Sequence, residues 1–254
     1  VSPAARPPRD GGAPGLGAGL STVRRRSVDF DWYATRAGTA VLARLGAPGA
    51  TRTDAWCWGG VNVPLGGAGP SGDGWAVGVN GRLAALLVDG LGHGVHAAAA
   101  TRAAIREFAQ WLMDDPKSFV RRVHEAMLST RGGVLALCLL DQERDELTHV
   151  GVGNIHGRVF GTEGSHRLLT RCGVLGTELP VPEIQVATEA WGPGATLILG
   201  SDGVRAHWDP AGYPRLLEHD PALIAAVIHR DHGEGTDDAT VLVVRDLRAP
   251  GVRT

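Results

Sequence analysis

The chain has 254 residues, 43% of them apolar, with 25 Lys and Arg against 27 Asp and Glu and a formal charge of −2 at pH 7. That length and apolar fraction suit one large domain or two small ones, and the charge balance argues against a nucleic-acid binder. Cys57, Cys138 and Cys172 are odd in number and show no Cys-x-x-Cys or Cys/His spacing, so reduced thiols in a cytoplasmic setting are expected.

Residues 1–26 are rich in Pro, Gly, Ala and Arg and end in Arg24-Arg25-Arg26. They have little to bury, so a solvated, disordered tail is expected in preference to an arginine patch docked on an acidic partner. Residues 27–46 carry a helical spacing in Ala37, Val41, Leu42 and Leu45 and stop at Gly46 and Pro48, which predicts one short helix. No apolar run nears the roughly 18 residues of a membrane span, and no signal-peptide core is present.

From Trp56 the pattern becomes compact. Trp58–Pro64, Trp75–Val79 and Leu83–Val88 read as strands. A helix from Val95 to about Met113 sets Ala97, Ala100, Ala104, Phe108 and Trp111 on one face. Asp115 before Pro116 starts another, with Phe119, Val120, Val123, Met127 and Leu128 as its buried stripe. His124 lies beside that stripe and reads as a satisfied or surface histidine, not a ligand. Six strands follow: 134–140, 147–152, 155–160, 166–170, 184–190 and 196–199, joined by short polar links such as 141–146. A helix over Pro221–Ile228, capped by Asp220, precedes a last strand, Val241–Val244. The expected class is α+β: stacked, mostly antiparallel sheets covered by helices. A tail over 1–54, one domain over 55–247 and a short tail over 248–254 complete the division.

The acids stand out against this frame. Leu83–Val88 ends on Asp89, and Gly90, Gly92 and Gly94 follow before the helix. Thr196–Leu199 ends in Gly200-Ser201-Asp202-Gly203. Asp237 and Asp238 precede the last strand, and Asp73 sits in Ser71-Gly72-Asp73-Gly74 before another. A lone Asp-Gly is more often a turn than a ligand. Two of these, however, directly follow buried strands, where a charge needs a partner. Four acids at strand ends, beside bare glycine backbone, are able to grip a hard cation if they converge.

Taken together, Asp89-Gly90-Leu91-Gly92-His93-Gly94, Ser201-Asp202-Gly203 and Asp237-Asp238-Ala239-Thr240-Val241 resemble the PPM-type (type 2C) metal-dependent serine/threonine phosphatases, in the branch of SpoIIE, RsbU and RsbX. Ser71-Gly72-Asp73, Thr130-Arg131-Gly132-Gly133 and Val152-Gly153-Asn154-Ile155 support the likeness, which covers roughly residues 56–246 in the family's motif order. It implies a four-layer α-β-β-α sandwich and a centre of two Mn²⁺ or Mg²⁺ ions. Asp89 would bridge them, the Gly90 carbonyl would be a further donor, and Asp73, Asp202 and Asp237 would complete the set. Asp238 would orient its loop behind the ligands. His93 is a candidate proton donor to the leaving serine oxygen, equally readable as a helix-start residue. Leu91 stands where eukaryotic relatives carry a histidine, and no arginine is assigned to the substrate phosphate.

The implied activity is removal of phosphate from Ser or Thr of a protein, by analogy a STAS-type anti-sigma factor antagonist, with neither nucleic acid nor membrane as partner. Cys138, inside a strand, is core, since no covalent nucleophile is needed. Residues 1–55 lack the motifs of a kinase-like module, so no kinase activity is expected. A catalytically silent binding module is the alternative, opposed by the presence of all four acids. A dinucleotide site at Asp89–Gly94 is weaker, because the glycines run G-x-G-x-G and an acid stands where phosphates would approach.

Overall fold

The computed structural model describes residues 17–46, 52–162, 164–177, 181 and 183–249. Two five-stranded antiparallel sheets lie face to face, with helices on both outer sides, as the sequence predicts. In chain order the elements are α1 (Gly17–Arg26), β1 (Asp29–Thr35), β2 (Gly38–Arg44), β3 (Trp56–Val63), β4 (Asp73–Asn80) and β5 (Arg82–Gly90). Then come α2 (Gly94–Gln110), α3 (Pro116–Met127), β6 (Gly133–Asp141), β7 (Glu146–Val152), β8 (His156–Gly161) and β9 (Gly164–Leu168). The chain continues through β10 (Ala187–Ala190), β11 (Thr196–Gly200), α4 (Pro221–His232) and β12 (Ala239–Asp246). The first sheet runs β10-β7-β6-β5-β4 and the second β3-β12-β11-β8-β9.

The apolar runs are continuous because the central strands are covered on both faces. In β5, Leu83, Ala85 and Leu87 point between the sheets, whereas Ala84, Leu86 and Val88 point at α2 and α3. β6 divides in the same way, with Cys138 on the inner side. In β12, Leu242 and Val244 face the other sheet, and Val241 and Val243 face α4. Period-two alternation thus builds three cores in four layers. Burial pushes the Cys138 thiol up to about 12, which suits a packing residue and not a nucleophile. Asp115 caps α3 by accepting from the Lys117 and Ser118 amides, and Asp220 caps α4 by accepting from Ala222. His124 is buried, and its Nδ1 accepts from the Gly176 amide at 3.2 Å.

The N-terminal segment corrects the sequence reading. Residues 29–44 form an antiparallel hairpin and not a helix. Ala40 and Leu42 pack toward α4 while Val41 points out, so the operative period there is two. The link Arg36-Ala37 is tight, and Gly38 takes a φ of 142° that a side chain would resist. Arg44 grips Asp220 through two hydrogen bonds of 2.7 and 3.0 Å, and Asp31 accepts from the Asp220 amide at 2.9 Å. The hairpin is therefore fastened to the start of α4, not left as tail. Residues 17–26, expected to be disordered, form the mostly exposed α1, and residues 1–16 lie outside the described residues. Arg248, assigned to the C-terminal tail, pairs with Asp145 and the buried Asp246. Among the described residues no helix is long and apolar enough to cross a membrane.

Candidate metal centre

The four acids come from both sheets and meet at one end of the sandwich. Asp73, first in β4, stands opposite Asp89 in the antiparallel register with β5. Directly opposed side chains have Cβ atoms about 5 Å apart, and like charges so placed are destabilising. The second sheet adds Asp202, just after β11, and Asp237, just before β12, at adjacent strand ends where Gly200 pairs with Val241. Asp202 is open to solvent, Asp237 is half-buried and Asp73 is buried.

The electrostatics show how close these groups come. Burial, then the charges of Asp73, Asp202 and Asp237, then a hydrogen bond to Asp202, push Asp89 up to about 9. Burial also drives Asp73 up to about 6, with Asp238 and Asp202 adding to it; the Ser201 and Thr240 hydroxyls offset only part. Asp73 Oδ2 is buried without a hydrogen-bond partner. Among the described residues no three or more His, Cys, Asp or Glu side chains stand as a ready-made metal cage. The gathering is looser than a cage, yet it has an orphaned buried oxygen, mutual repulsion and an all-carboxylate donor set. Those features fit hard divalent cations of the Mg²⁺ and Mn²⁺ class.

Neighbouring backbone holds the acids in place. Asp238 is buried and faces away from solvent: Oδ1 accepts from Leu65 and Oδ2 from Gly72, each at 2.6 Å. It fastens the segment before Asp73 to the segment carrying Asp237. Gly90 is required where β5 passes under α2, since a Cβ there would lie 2.3 Å from the Ala97 carbonyl oxygen. The Thr101 hydroxyl donates to the Gly72 carbonyl and ties α2 to the same loop. Asn154, in the turn that crosses between the sheets, donates to Asp202 Oδ2 at 2.8 Å. His93 is the exposed residue preceding α2, with an extended backbone and no side-chain cap bond.

One residue escaped the sequence reading. Arg131 reaches the Asp89–Gly94 loop: its guanidinium nitrogen lies 3.3 Å from where a Gly92 Cβ would stand. Among the described residues it is in no ion pair. The signal was present in Thr130-Arg131-Gly132-Gly133, but nothing in the sequence says that β6 begins beside Gly90.

The family model of Stage II sporulation protein E (SpoIIE) matches residues 79–246. The chain belongs to the SpoIIE family. It has the PPM-type phosphatase fold, in the SpoIIE/RsbX branch. The SpoIIE match includes Asp89, Asp202 and Asp237 and begins just after Asp73. A solved chain described under the bacterial stressosome, a modular system adapted to control secondary messenger signaling, is 27% identical, with a TM-score of 0.69 over 75% of this chain and 99% of that one. RsbX in complex with magnesium is 20% identical, with a TM-score of 0.65 over 77% and 97%. The catalytic domain of the serine threonine protein phosphatase PstP, in complex with two manganese ions, is 18% identical, with a TM-score of 0.57 over 76% and 99%. No curated protein matches.

Proposed function

We propose that the chain is a metal-dependent protein-serine/threonine phosphatase whose catalytic unit is residues 55–247. The convergence of Asp73, Asp89, Asp202 and Asp237 from two sheets, with Asp89 raised to about 9 by burial and by its neighbours, carries this reading. Asp89, with the Gly90 carbonyl, Asp73, Asp202 and Asp237, would hold two Mn²⁺ or Mg²⁺ ions, the metals present in the PstP and RsbX complexes. When bound, such a pair supplies an activated water and charge stabilisation for in-line displacement at phosphorus.

The chain's own residues provide the rest. Asn154 fixes the Asp202 carboxylate, and Asp238 fixes the loop that delivers Asp73. Arg131 offers a planar guanidinium to the non-bridging phosphoryl oxygens, a role in which fixed forks outperform point charges. His93, exposed at the start of α2, offers a proton to the departing seryl oxygen. By kinship with SpoIIE and RsbX, the substrate is a phosphorylated STAS-type anti-sigma factor antagonist, in a cytoplasmic stress or sporulation-type pathway. A silent binding module is the poorer reading, because all four acids are retained and Asp202 and the loop before Asp73 keep the supporting bonds from Asn154 and to Asp238.

Release of inorganic phosphate from a phosphoserine peptide, measured with Mn²⁺, Mg²⁺ or EDTA, tests the proposal. Turnover that needs a divalent cation supports it. Folded protein without turnover under any metal, on peptide or on phosphorylated STAS protein, overturns it.

A further inference from the structure

Beyond the acids, the outer face of β8 and β9 carries an unusual cationic cup. Arg158 in β8 stands opposite Arg167 in β9 and opposite Ile198 in β11. Two arginines directly across an antiparallel ladder repel each other unless an anion lies between them. They line a cavity of ≈190 Å³ together with His156, Thr170, Trp208 and Asn154. No carboxylate lines this cavity, and among the described residues neither arginine is in an ion pair.

The cup is built, not incidental. Ser165 Oγ accepts from Arg158 at 2.8 and 3.1 Å, and the Trp208 carbonyl accepts from it at 3.2 Å. The same guanidinium lies 4.8 Å from the Phe160 ring centre and 5.9 Å from that of Trp208. Arg167 Nη1 donates to His207 Nε2 at 3.3 Å, which positions its guanidinium on the rim. Burial, then the Arg167 charge, hold Arg158 below its ordinary value against the weaker pull of Asp209, and burial, then Arg167 and His207, take His156 down to about 4 against that of Asp202. The cup also adjoins the acid cluster. Asn154 on its wall is the residue that donates to Asp202 at 2.8 Å.

We propose that the Arg158–Arg167 cup is a specificity subsite for an oxyanion of the phosphoprotein substrate, an acidic side chain or a second phosphoryl group flanking the phosphoserine. This rests on the phosphatase reading of the neighbouring acids. Asn154 joins the cup to Asp202, so residues flanking a phosphoserine held at the acids would pass along β8, where the exposed Arg167 meets carboxylate or phosphate beside an Arg158 already fixed by Ser165 and Trp208. The cup thereby selects among phosphoproteins without taking part in the chemistry.

The test compares wild type with Arg167→Gln and Arg167→Glu, in Mn²⁺, on four substrates. These are p-nitrophenyl phosphate and phosphoserine peptides flanked by Glu, by a second phosphoserine or by Gln. Arg167→Gln is expected to raise KM for the Glu-flanked or doubly phosphorylated peptide about tenfold, the scale of one charge-assisted pair. KM for the Gln-flanked peptide and for p-nitrophenyl phosphate should stay unchanged. Whichever flank responds identifies the oxyanion source. Equal KM changes on all four substrates, or no wild-type preference for either anionic flank, overturn the proposal. Anisotropy of a labelled, unphosphorylated Glu-rich peptide, read in EDTA, separates the two readings. Arg167-dependent binding without hydrolysis of any substrate keeps the cup and rejects the phosphatase; metal-dependent hydrolysis without Arg167-dependent binding does the reverse.

Discussion

Replacing Asp238 with Ala separates a structural acid from the neighbouring candidate metal ligands. The carboxylate accepts from the buried Gly72 amide and from the half-buried Leu65 amide, both at 2.6 Å. Stranding a buried donor costs about 1–3 kcal/mol. Water reaches Leu65 and returns part of its loss, so the sum is about 2–4 kcal/mol. For a chain of this size each kcal/mol moves the midpoint by about 2–4 °C, which gives a fall of roughly 4–16 °C. Melts in EDTA keep metal linkage out of the comparison. Asp238→Asn retains one acceptor and should fall by about half as much. A shift below about 2 °C with activity abolished would refute the reasoning and move Asp238 among the residues that act on the metals.

Further outcomes follow from other parts of the molecule. Gly90→Ala would set a Cβ 2.3 Å from the Ala97 carbonyl oxygen, so α2 must move and about 3 kcal/mol or more is lost on denaturant unfolding. Gly161→Ala, with nothing within 4 Å, should stay within about 0.5 kcal/mol of wild type, and equal losses in the two would contradict the packing argument. Arg131→Ala should raise KM for p-nitrophenyl phosphate about tenfold with kcat changing less, and an unmoved KM removes Arg131 from the phosphate site. Burial pulls Asp31 up, but the Asp220 amide and His219 outweigh it, so its carboxyl titrates below the ordinary range. A depressed carboxyl stabilises the fold above its unfolded pKa near 4, and that contribution is lost as pH falls through the lower folded value. Asp31→Asn should therefore lose stability at pH 6, with a gap to wild type in urea unfolding that narrows as pH falls below about 4; a gap that does not change with pH would disprove the linkage.

The sandwich was legible from Trp56 onward because its signals are local. Apolar runs of four to seven residues marked the central strands, and Asp115-Pro116 and Asp220-Pro221 marked two helix starts. The hairpin at 29–44 was misread because Ala37, Val41 and Leu42 satisfy a helical spacing by accident. The pairing partners that enforce a period of two, and the anchoring of Arg44 on Asp220, lie in tertiary structure. The candidate ligands were visible as acids at strand ends, but their meeting point was not: register alone sets Asp73 across from Asp89. The same limit hid Arg131 and the Arg158–Arg167 pair. Each is ordinary in sequence and takes its meaning from the strand or loop laid beside it.

Asp73, Asp89, Asp202 and Asp237 are the proposed holders of the cations for phosphoester hydrolysis. Anomalous diffraction from crystals grown with Mn²⁺, for wild type and Asp89→Asn, tests this assignment most directly. Two manganese peaks among these four carboxylates in the wild type, with at least one lost together with activity in the variant, are the predicted result. Manganese bound elsewhere, or an Asp89→Asn enzyme that keeps both peaks and near-normal turnover, would contradict the account.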